Sequence, residues 1–438
     1  MSSFAPVNKL SVFRRLSSGE KVFVGVLAQN TQAVFFQYEQ DYLQRYHCLS
    51  PFQLPFDEGL HKAPKTPHQG LHGVFSDSLP DGWGLLLMDR VLRRRGLLPQ
   101  QLTAMDRLSY VGDRGMGALT FEPSSDFLAT ADDSWIDIAR LGEEAGLLFE
   151  GKTDIVLSQL ANAGSSGGAR PKAQIYIQPD KPQHTSTAPQ TGLEPWLVKF
   201  TSSSLALGHE EGLCEAAYLT MAKNSGIDVP EWQLIPAPGS SNAIAWLALR
   251  RFDCNPEQPE IGRYHLHSLC GLLDADFRTP SVDYEDLIKA SQALCKSPAE
   301  GQVLFRRAMF NLFALNQDDH SKNWSFLMDD KGNWKPTPFY DVTFCPNPHN
   351  EHTTAFGGYG KAPPLKVIQQ LARQANFSTW KQAQQCIEQV VEAVQTWSDV
   401  AKKLEIHADT RSLIANSLNT VWQQNKVLLS VENPKRLS

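Results

Sequence analysis

A chain of 438 residues is too long for one ordinary domain and predicts two or three. Its residues are 42% hydrophobic and 20% charged, which is typical of a globular protein with a large core, and a net charge of -6 excludes a globally basic surface for nucleic acid or anionic lipid. Seven cysteines without a C-x-x-C pair argue against a disulfide framework or a zinc site, and no apolar run of about 18 residues exists that could span a bilayer.

The first part of the chain has the alternating pattern of short β-strands. The predicted strands, which include a small antiparallel sheet, cover residues 10–13, 22–27, 33–38 and 115–123. After a proline-rich connector, Asp81 is placed to cap a helix that begins near Trp83. We find no catalytic chemistry in residues 1–125 and predict a binding or scaffolding subdomain there.

The second part, residues 126–255, alternates between helical and strand patterns. The predicted elements are a helical region at 135–160, strands at 173–177, 196–200 and 246–253, and a helix at 210–225. A polar insert at residues 179–191 is predicted to be a hairpin tip.

The third part, residues 256–438, is predicted to be mostly helical. The elements include a buried helix at 305–315, a strand at 324–327, a turn at 329–332, and two terminal helices at 382–404 and 411–429.

The most informative stretch lies between the buried helix and the strand at 324–327. Here Asp318 and Asn323 are separated by four residues, and Asp341 follows downstream; His320 and Lys322 lie in the same turn. Protein kinases use the spacing Asp-x4-Asn in the catalytic loop, followed by a later Asp that binds metal. An Asp accepts the proton of the attacking hydroxyl, while an Asn and a second Asp supply oxygen ligands to magnesium. The alternative is a polar loop that caps a helix and binds no ligand.

A glycine-containing segment at residues 164–172 has the small residues that let backbone amides approach a phosphate, followed by a cation. The candidate nucleotide-binding residues are Gly167, Gly168, Ala169 and Lys172. The Walker pattern is absent. The segment also matches G-x-S-x-G around Ser166, but an esterase elbow needs a strand before it and a helix after it, and here the order is reversed. A flexible glycine turn without a ligand remains an alternative.

Lys199 lies alone in an apolar strand, and Glu215 lies on the next predicted helix. Together they resemble the strand lysine and helix glutamate that hold nucleotide phosphates in kinases. The alternative for Lys199 is an edge position with a solvent-directed ammonium. The order of glycine loop, strand lysine, helix glutamate, hinge strand and catalytic loop is the order of parts in a kinase.

His349 and His352 suggest a competing hypothesis, a metal hydrolase completed by the carboxylates near Asp318. The surrounding Asn and Pro residues favour a solvent loop instead.

The sequence resembles the HipA family of serine/threonine kinases, the toxins of HipBA-type toxin–antitoxin systems, over nearly its whole length. The matching segments are Ser78–Trp83, Gly117–Phe121, Ser165–Lys172, Phe252–Asp253 and Asp318–Asn323 with Asp341. The resemblance implies an α+β, bilobal, protein-kinase-like fold with a mixed α/β N-terminal lobe, an extra N-terminal subdomain and a mostly helical C-terminal lobe.

The resemblance also implies roles for individual residues, with ATP and Mg²⁺ as cofactors. Asp318 is the expected base, Asn323 and Asp341 are the expected metal ligands, and Lys199 is the expected phosphate lysine. The backbone from Arg250 to Phe252 is the expected adenine hinge. Ser165 falls where family members carry an inactivating autophosphorylation site, and its neighbour Ser166 competes for that role.

The expected partners are a helix-turn-helix antitoxin of the HipB type, DNA through that antitoxin, and a protein substrate such as an aminoacyl-tRNA synthetase. We expect a cytoplasmic protein that binds no membrane. The alternative function is a non-catalytic, nucleotide-responsive co-repressor that works through the DNA-binding antitoxin.

Overall fold

The computed structural model describes residues 5–124, 135–153, 158–164, 166–257 and 261–429. The chain divides into two compact units. Unit one consists of Met1–His209, Trp232–Asp274 and Leu327–Asn333, and unit two consists of Glu210–Glu231, Ala275–Phe326 and Trp334–Ser438. The division into three parts at residues 125 and 255 stays a prediction.

Unit one begins with a five-stranded sheet of order β4-β3-β2-β1-β5, whose strands pair antiparallel. Its strands alternate buried and more exposed residues, as the sequence pattern predicts. The elements of this region are β1 (Lys9–Arg15), β2 (Lys21–Gln29), β3 (Val34–Tyr38), α1 (Gln40–Arg45), β4 (His61–Lys62), α2 (Gly73–Ser76), α3 (Gly82–Arg94), α4 (Ala104–Val111) and β5 (Leu119–Glu122).

A second sheet of six strands, in the order β10-β11-β9-β7-β8-β6, forms the rest of the unit's framework. The elements in this stretch are β6 (Trp135–Ile136), α5 (Ile138–Phe149), α6 (Ser158–Asn162), β7 (Lys172–Gln178), β8 (Lys181–Ser186), β9 (Glu194–Lys199), α7 (Glu211–Asn224, in unit two), β10 (Trp232–Pro236) and β11 (Ala245–Arg250). The polar insert predicted as a hairpin tip therefore contains a strand, because its residues 181–186 form β8, which pairs with both β7 and β6.

Helices α3 and α5 pack on this six-stranded sheet. Trp83 of α3 and Leu141 of α5 share one core with Ile175, Val198 and Trp246 of the strands. Burial of these apolar side chains fixes the start of α3 close to the residues that precede β7.

Four short elements complete the sequence of unit one up to Asp274. They are β12 (Cys254–Asn255), β13 (Gly262–Arg263), β14 (His265–Ser268) and α8 (Leu269–Leu272). Gly271 of α8 lies directly against the backbone of Gly73 in α2, so neither position has room for a side chain.

Unit two is mostly helical, as predicted. Besides α7, it contains further helices and two short strands near the predicted catalytic loop: α9 (Tyr284–Cys295), α10 (Ala299–Ala314), β15 (Ser325–Met328, which ends in unit one), β16 (Trp334–Pro336), α11 (Leu365–Gln374), α12 (Trp380–Val394), α13 (Trp397–Lys403) and α14 (Ala408–Asn425). Helix α10 is central, with Phe305 and Phe310 fully buried. Among the described residues, no helix is both long enough and apolar enough to cross a membrane.

The helix predicted over residues 382–404 is wrong in one respect, because the structure has two helices there. The first ends at Val394, and the Thr396 hydroxyl donates to the Ala393 carbonyl at 2.7 Å. The second begins at Trp397, a buried side chain whose ring packs against Tyr218 of α7. Sequence periodicity does not reveal this break, because apolar spacing continues across it.

Candidate active site

The predicted catalytic loop connects α10 to β15 in unit two. Helix α10 ends at Ala314, and its C-cap residue Leu315 has a left-handed backbone with φ of 54°. The next two residues, Asn316 and Gln317, are buried and bonded to the returning chain: the Gln317 amide donates to the Cys345 carbonyl at 3.0 Å. The loop therefore starts from a fixed point.

Within this loop Asp318 and Asn323 lie together. The Asn323 side-chain nitrogen donates to the Asp318 backbone carbonyl at 2.7 Å. This bond orients the amide so that its oxygen, the atom able to bind a metal, is the end left for a ligand. The Asp318 side chain is exposed and lies 3.6 Å from the Nε2 of His320.

The neighbouring Asp319 has the opposite environment. Its carboxylate is buried and accepts hydrogen bonds from the Tyr284 hydroxyl and from the backbone amides of Thr353 and Thr354. His352 Nδ1 lies 2.9 Å from the same carboxylate. Burial, followed by the charge of Asp319, raises the pKa of Tyr284 well above its ordinary value, so this phenol remains a donor. Asp319 holds the loop in place and is not available to a substrate.

Asp341 lies on a segment that returns to the same loop. The Tyr340 hydroxyl donates to the Lys322 carbonyl at 2.8 Å, and the Asn347 amide donates to the Gln317 side chain at 2.7 Å. Asp341 itself has a φ of 54°, a conformation that non-glycine residues rarely adopt and that is frequent at functional sites.

The loop also places two basic side chains beside Phe277. The Nζ of Lys322 lies 4.6 Å from the Phe277 ring centroid, and the His320 ring lies 5.5 Å from it. Nδ1 of His320 is shielded from solvent and has no hydrogen-bond partner among the described residues. A buried polar atom of this kind is typical of a position that a ligand or water completes.

In unit one the glycine loop precedes β7. Gly168 has a φ of 102°, which only glycine adopts without strain. Gly167 and Ala169 are exposed, and the Ser166 hydroxyl donates to the Gly167 carbonyl at 3.3 Å. Ser165, the first predicted autophosphorylation site, lies outside the described residues.

Two lysines lie opposite each other behind this loop. Lys172 of β7 and Lys199 of β9 are paired in the strand register and are only 3% and 6% exposed. Directly opposite residues of antiparallel strands project from the same face of the sheet. The Lys172 ammonium donates to the Gly167 carbonyl at 2.6 Å, which uses one of its three N–H groups. That these two side chains bind nucleotide phosphates stays a prediction.

The remaining predicted residues lie in different units or near the end of β11. Lys199 belongs to unit one and the buried Glu215 to unit two, and the ion pair between them stays a prediction. Arg250 donates to Glu194 at 3.1 Å, and Phe252 is partly buried. The adenine role of this segment also stays a prediction.

The hinge segment is attached to unit one by a buried ion pair. Arg251 donates to Asp253 at 2.6 Å and to Gln174 at 2.5 Å, and Asp253 accepts the Gly117 amide at 2.6 Å. Burial alone would raise the pKa of Asp253, but the charge of Arg251 and these hydrogen bonds lower it. The segment after β11 is thus held rigidly within its unit.

The metal-hydrolase hypothesis finds no support in the described residues. His349 is exposed, whereas His352 is buried beside Asp319 instead of lying in a solvent loop. No group of three or more His, Cys, Asp or Glu side chains in the described ranges is arranged to hold a metal ion. All seven cysteines, each within those ranges, are free thiols.

The oxygen donors predicted in unit two are of the kind that magnesium binds. Magnesium prefers oxygen ligands from one or two protein side chains and completes its shell with water and phosphate. The amide oxygen of Asn323 and the carboxylate of Asp341, both in unit two, are oxygen atoms of this kind. Their role as metal ligands stays a prediction.

Comparison with known proteins identifies the family. Residues 164–398 match the model of the HipA-like C-terminal domain, and residues 19–122 match the model of the HipA N-terminal domain. The chain belongs to the HipA family. Among relatives of this HipA-family protein, one from Sinorhizobium fredii, named "Putative kinase Y4dM", is 26% identical over 364 residues, which is 80% of this chain and 76% of that protein. Another from Haemophilus influenzae is 27% identical over 199 residues, which is 43% of this chain and 55% of that protein.

A solved structure has the same fold as this HipA-family chain. It is HipA of Shewanella oneidensis MR-1, determined in a complex with HipB and operator DNA. The two chains are 18% identical, the TM-score is 0.67, and the match covers 94% of this chain and 96% of that one. The predicted HipA-like α+β fold, with mixed α/β and mostly helical parts, is therefore confirmed.

Sequence reasoning missed two contacts in this HipA-family chain, one in each unit. Phe277 contacts both basic side chains of the catalytic loop, but nothing in its local sequence indicates this. Asp81 was predicted only to cap α3, yet its carboxylate accepts a hydrogen bond from the Gly168 amide of the glycine loop. The position of Asp81 directly before Gly82 and Trp83 indicates the start of a helix, but it does not indicate the contact with Gly168.

Proposed function

We propose that this HipA-family protein is an ATP-dependent serine/threonine protein kinase and the toxin of a type II toxin–antitoxin system. The observation that carries the proposal is the arrangement of the loop between α10 and β15. There an exposed Asp318 carboxylate and an Asn323 amide oriented by the Asp318 carbonyl lie together, while the buried Asp319 fixes the loop. A loop that only caps a helix does not require one exposed carboxylate and one buried carboxylate.

The chain's own residues then have distinct tasks. Asp318 accepts the proton of the attacking serine or threonine hydroxyl. Asn323 and Asp341 hold magnesium through oxygen atoms, and Lys172 and Lys199 bind the phosphates. When bound, ATP would supply the phosphoryl group, and magnesium would neutralise negative charge on the phosphate oxygens.

The loop residues and the hinge complete the nucleotide site in this proposal. The backbone of Gly167, Gly168 and Ala169 approaches the phosphates, His320 and Lys322 add polar contacts, and the backbone from Arg250 to Phe252 binds adenine. Phosphorylation of Ser165, or of its neighbour Ser166, adds close to two negative charges within this loop and stops the enzyme.

The partners and the location are part of the same proposal. We propose a helix-turn-helix antitoxin of the HipB type, with DNA contacted through it, because the Shewanella oneidensis protein was solved with HipB and operator DNA. The substrate is a cytoplasmic protein, and an aminoacyl-tRNA synthetase is the first candidate.

The proposal is tested by incubating the purified chain with radiolabelled ATP and magnesium. We expect label on the chain itself and none after chelation of magnesium. Asp318→Ala should reduce labelling by about a thousandfold, which corresponds to about 4 kcal/mol of transition-state stabilisation. Equal labelling of Asp318→Ala and wild type would remove the proposed base.

A non-catalytic co-repressor is the second candidate, favoured only by the operator DNA in the related solved complex. It predicts that Asp341→Asn leaves nucleotide-dependent operator binding with the antitoxin intact and that wild type transfers no phosphate. The kinase proposal predicts that Asp341→Asn abolishes phosphate transfer. Measuring both properties on the same preparations separates the two functions.

A further inference from the structure

The start of helix α3 makes an unusual use of its first carboxylate. Asp81 occupies the N-cap position, where an Asp normally accepts a hydrogen bond from the second or third amide of its own helix. Within α3, all of which lies in the described part of the chain, it accepts none. Its carboxylate instead accepts from the Gly168 amide in the glycine loop, 87 positions away along the chain.

Asp137 shows what the ordinary arrangement looks like in the same unit. It occupies the N-cap of α5, and its carboxylate accepts from the Ala139 amide at 2.9 Å. The two aspartates have the same position relative to a helix but different partners. The Asp81 side chain therefore binds the glycine loop and does not cap its own helix.

Trp83 attaches the loop at two further points. Its backbone amide donates to the Gly168 carbonyl at 3.0 Å, so both backbone polar groups of Gly168 are bonded to the start of α3. Its indole Nε1 donates to the Lys172 carbonyl at 2.8 Å, at the far end of the loop. The indole is 1% exposed and belongs to the core on the six-stranded sheet, so these bonds extend from a rigid base.

Gly82, between these residues, lets the two backbones approach. It has a φ of 44°, and a Cβ at this position would lie 2.5 Å from the Gly168 carbonyl oxygen and 2.8 Å from the Ala169 Cα. Real Cβ atoms do not come so close to backbone, so a side chain here would displace the loop. Residues 81–83 therefore pack closely against the glycine loop.

We propose that Asp81 is a positioning residue for the glycine loop. By holding Gly168, it keeps the loop amides and the Lys172 ammonium in the arrangement that receives the nucleotide phosphates. Preorganisation of this kind increases affinity, because the loop does not have to be ordered when the ligand binds. The inference rests on the proposed function, since it assigns the loop to phosphate binding.

The same geometry allows the opposite effect, in which Asp81 weakens ATP binding. The direction in which the affinity for ATP changes when Asp81 is replaced distinguishes the two effects. A carboxylate on a loop amide can compete with a phosphate oxygen for that donor, in which case its removal would tighten ATP binding. The bonds from Trp83 to Gly168 and Lys172 favour positioning, because they stabilise the segment between these residues and not one donor. Loss of Asp81 should therefore weaken ATP binding.

The first experiment is hydrogen–deuterium exchange on the full-length protein without nucleotide. Asp81→Ser is the informative variant, because serine is a good N-cap for α3 but is too short to reach Gly168. We expect amides in residues 166–172 to exchange about tenfold faster, as loss of a charge-assisted hydrogen bond implies. Asp81→Asn, which keeps an acceptor oxygen, should exchange nearly as wild type does.

Asp137→Ala is the matched control, because it removes an N-cap carboxylate in the same unit without touching the glycine loop. It should leave exchange in residues 166–172 unchanged. Exchange in Asp81→Ser equal to that of wild type would overturn the proposal, whether or not the protein is a kinase.

The second experiment measures the Kd for magnesium ATP by calorimetry on the same proteins. We expect about a tenfold increase for Asp81→Ser and little change for Asp81→Asn. Unchanged or tighter binding by Asp81→Ser would contradict the positioning role. If wild type binds no nucleotide, the proposed function fails, and the exchange result alone then decides whether Asp81 holds the loop.

Discussion

At the scale of single residues, the adjacent carboxylates of Asp318 and Asp319 have different surroundings and should have different effects when changed. Asp318 is exposed, so water can replace the contacts that its carboxylate makes. We expect Asp318→Asn to lower the rate of phosphate transfer by about a thousandfold while the free energy of unfolding changes by less than about 0.5 kcal/mol. Single-turnover kinetics and urea unfolding of the same preparation measure the two quantities.

Asp319 should behave in the reverse way. Its buried carboxylate accepts from the Tyr284 hydroxyl and from the Thr353 and Thr354 amides, and His352 lies beside it. Asp319→Ala leaves these donors unsatisfied, so we expect the free energy of unfolding to fall by about 3 kcal/mol. Urea unfolding followed by circular dichroism measures this loss. A midpoint equal to that of wild type would show that the loop does not depend on Asp319.

The sequence predicts the site's composition but not the division of labour within it. Asp318 and Asp319 are neighbours in one polar turn, and no local rule says which one is buried. The decision comes from Tyr284, 35 positions earlier, and His352, 33 positions later. Asp81 is a second case, because its partner Gly168 lies 87 positions away. Contacts between residues so far apart in the sequence depend on tertiary packing. Rules based on periodicity and helix capping do not describe that packing.

At the scale of elements, the packing of α5 on the six-stranded sheet depends on one glycine. A Cβ at Gly142 would overlap the indole of Trp246, which is 1% exposed and has no room to move. We expect Gly142→Ala to lower the free energy of unfolding by about 1–3 kcal/mol through overpacking. Chemical denaturation at one temperature measures the change.

Gly146, one turn further along the same helix, is the matched control. A Cβ there would lie 3.7 Å from the Thr201 carbonyl oxygen, an ordinary contact distance. Gly146→Ala should therefore raise the free energy of unfolding by about 0.5–1 kcal/mol, because alanine favours the helix. Equal effects of the two substitutions would contradict the packing of α5 described above.

The secondary structure was predictable where the pattern is local and strong. Strands β1 to β3, helix α10 and the turn after Asp329 were predicted from alternation, apolar spacing and turn residues. Strand β8 was not, because its polar sequence acquires strand structure only by pairing with β6 and β7. The break before Trp397 was also missed, since it follows from the burial of that side chain against Tyr218.

At the scale of the whole molecule, buried histidines make stability depend on pH. Burial lowers the pKa of His265 to about 3 and that of His72 to about 4, from an ordinary value of 6.5. The unfolded chain therefore takes up protons first as the pH falls below 6.5, and the free energy of unfolding decreases. Between pH 7 and pH 5 we expect a loss of about 1–2 kcal/mol for each histidine.

Denaturant unfolding at pH 7, 6 and 5 measures this dependence. His265→Gln should reduce this dependence by about half, because glutamine does not titrate whereas His72 still does, whatever the effect of the substitution on absolute stability. A free energy of unfolding that is constant or rises toward pH 5 would contradict the buried, neutral state of both rings.

The central claim is that the chain transfers phosphate from ATP to a serine or threonine with Asp318 as base. It is tested most directly by incubating wild type and Asp318→Asn with magnesium ATP and mapping phosphorylated residues by mass spectrometry. We predict phosphate on a hydroxyl side chain of wild type, with Ser165 or Ser166 as the first candidates, and none on Asp318→Asn. Absence of phosphate from wild type when its HipB-type partner and protein substrate are also present, or equal phosphate on both proteins, would contradict it.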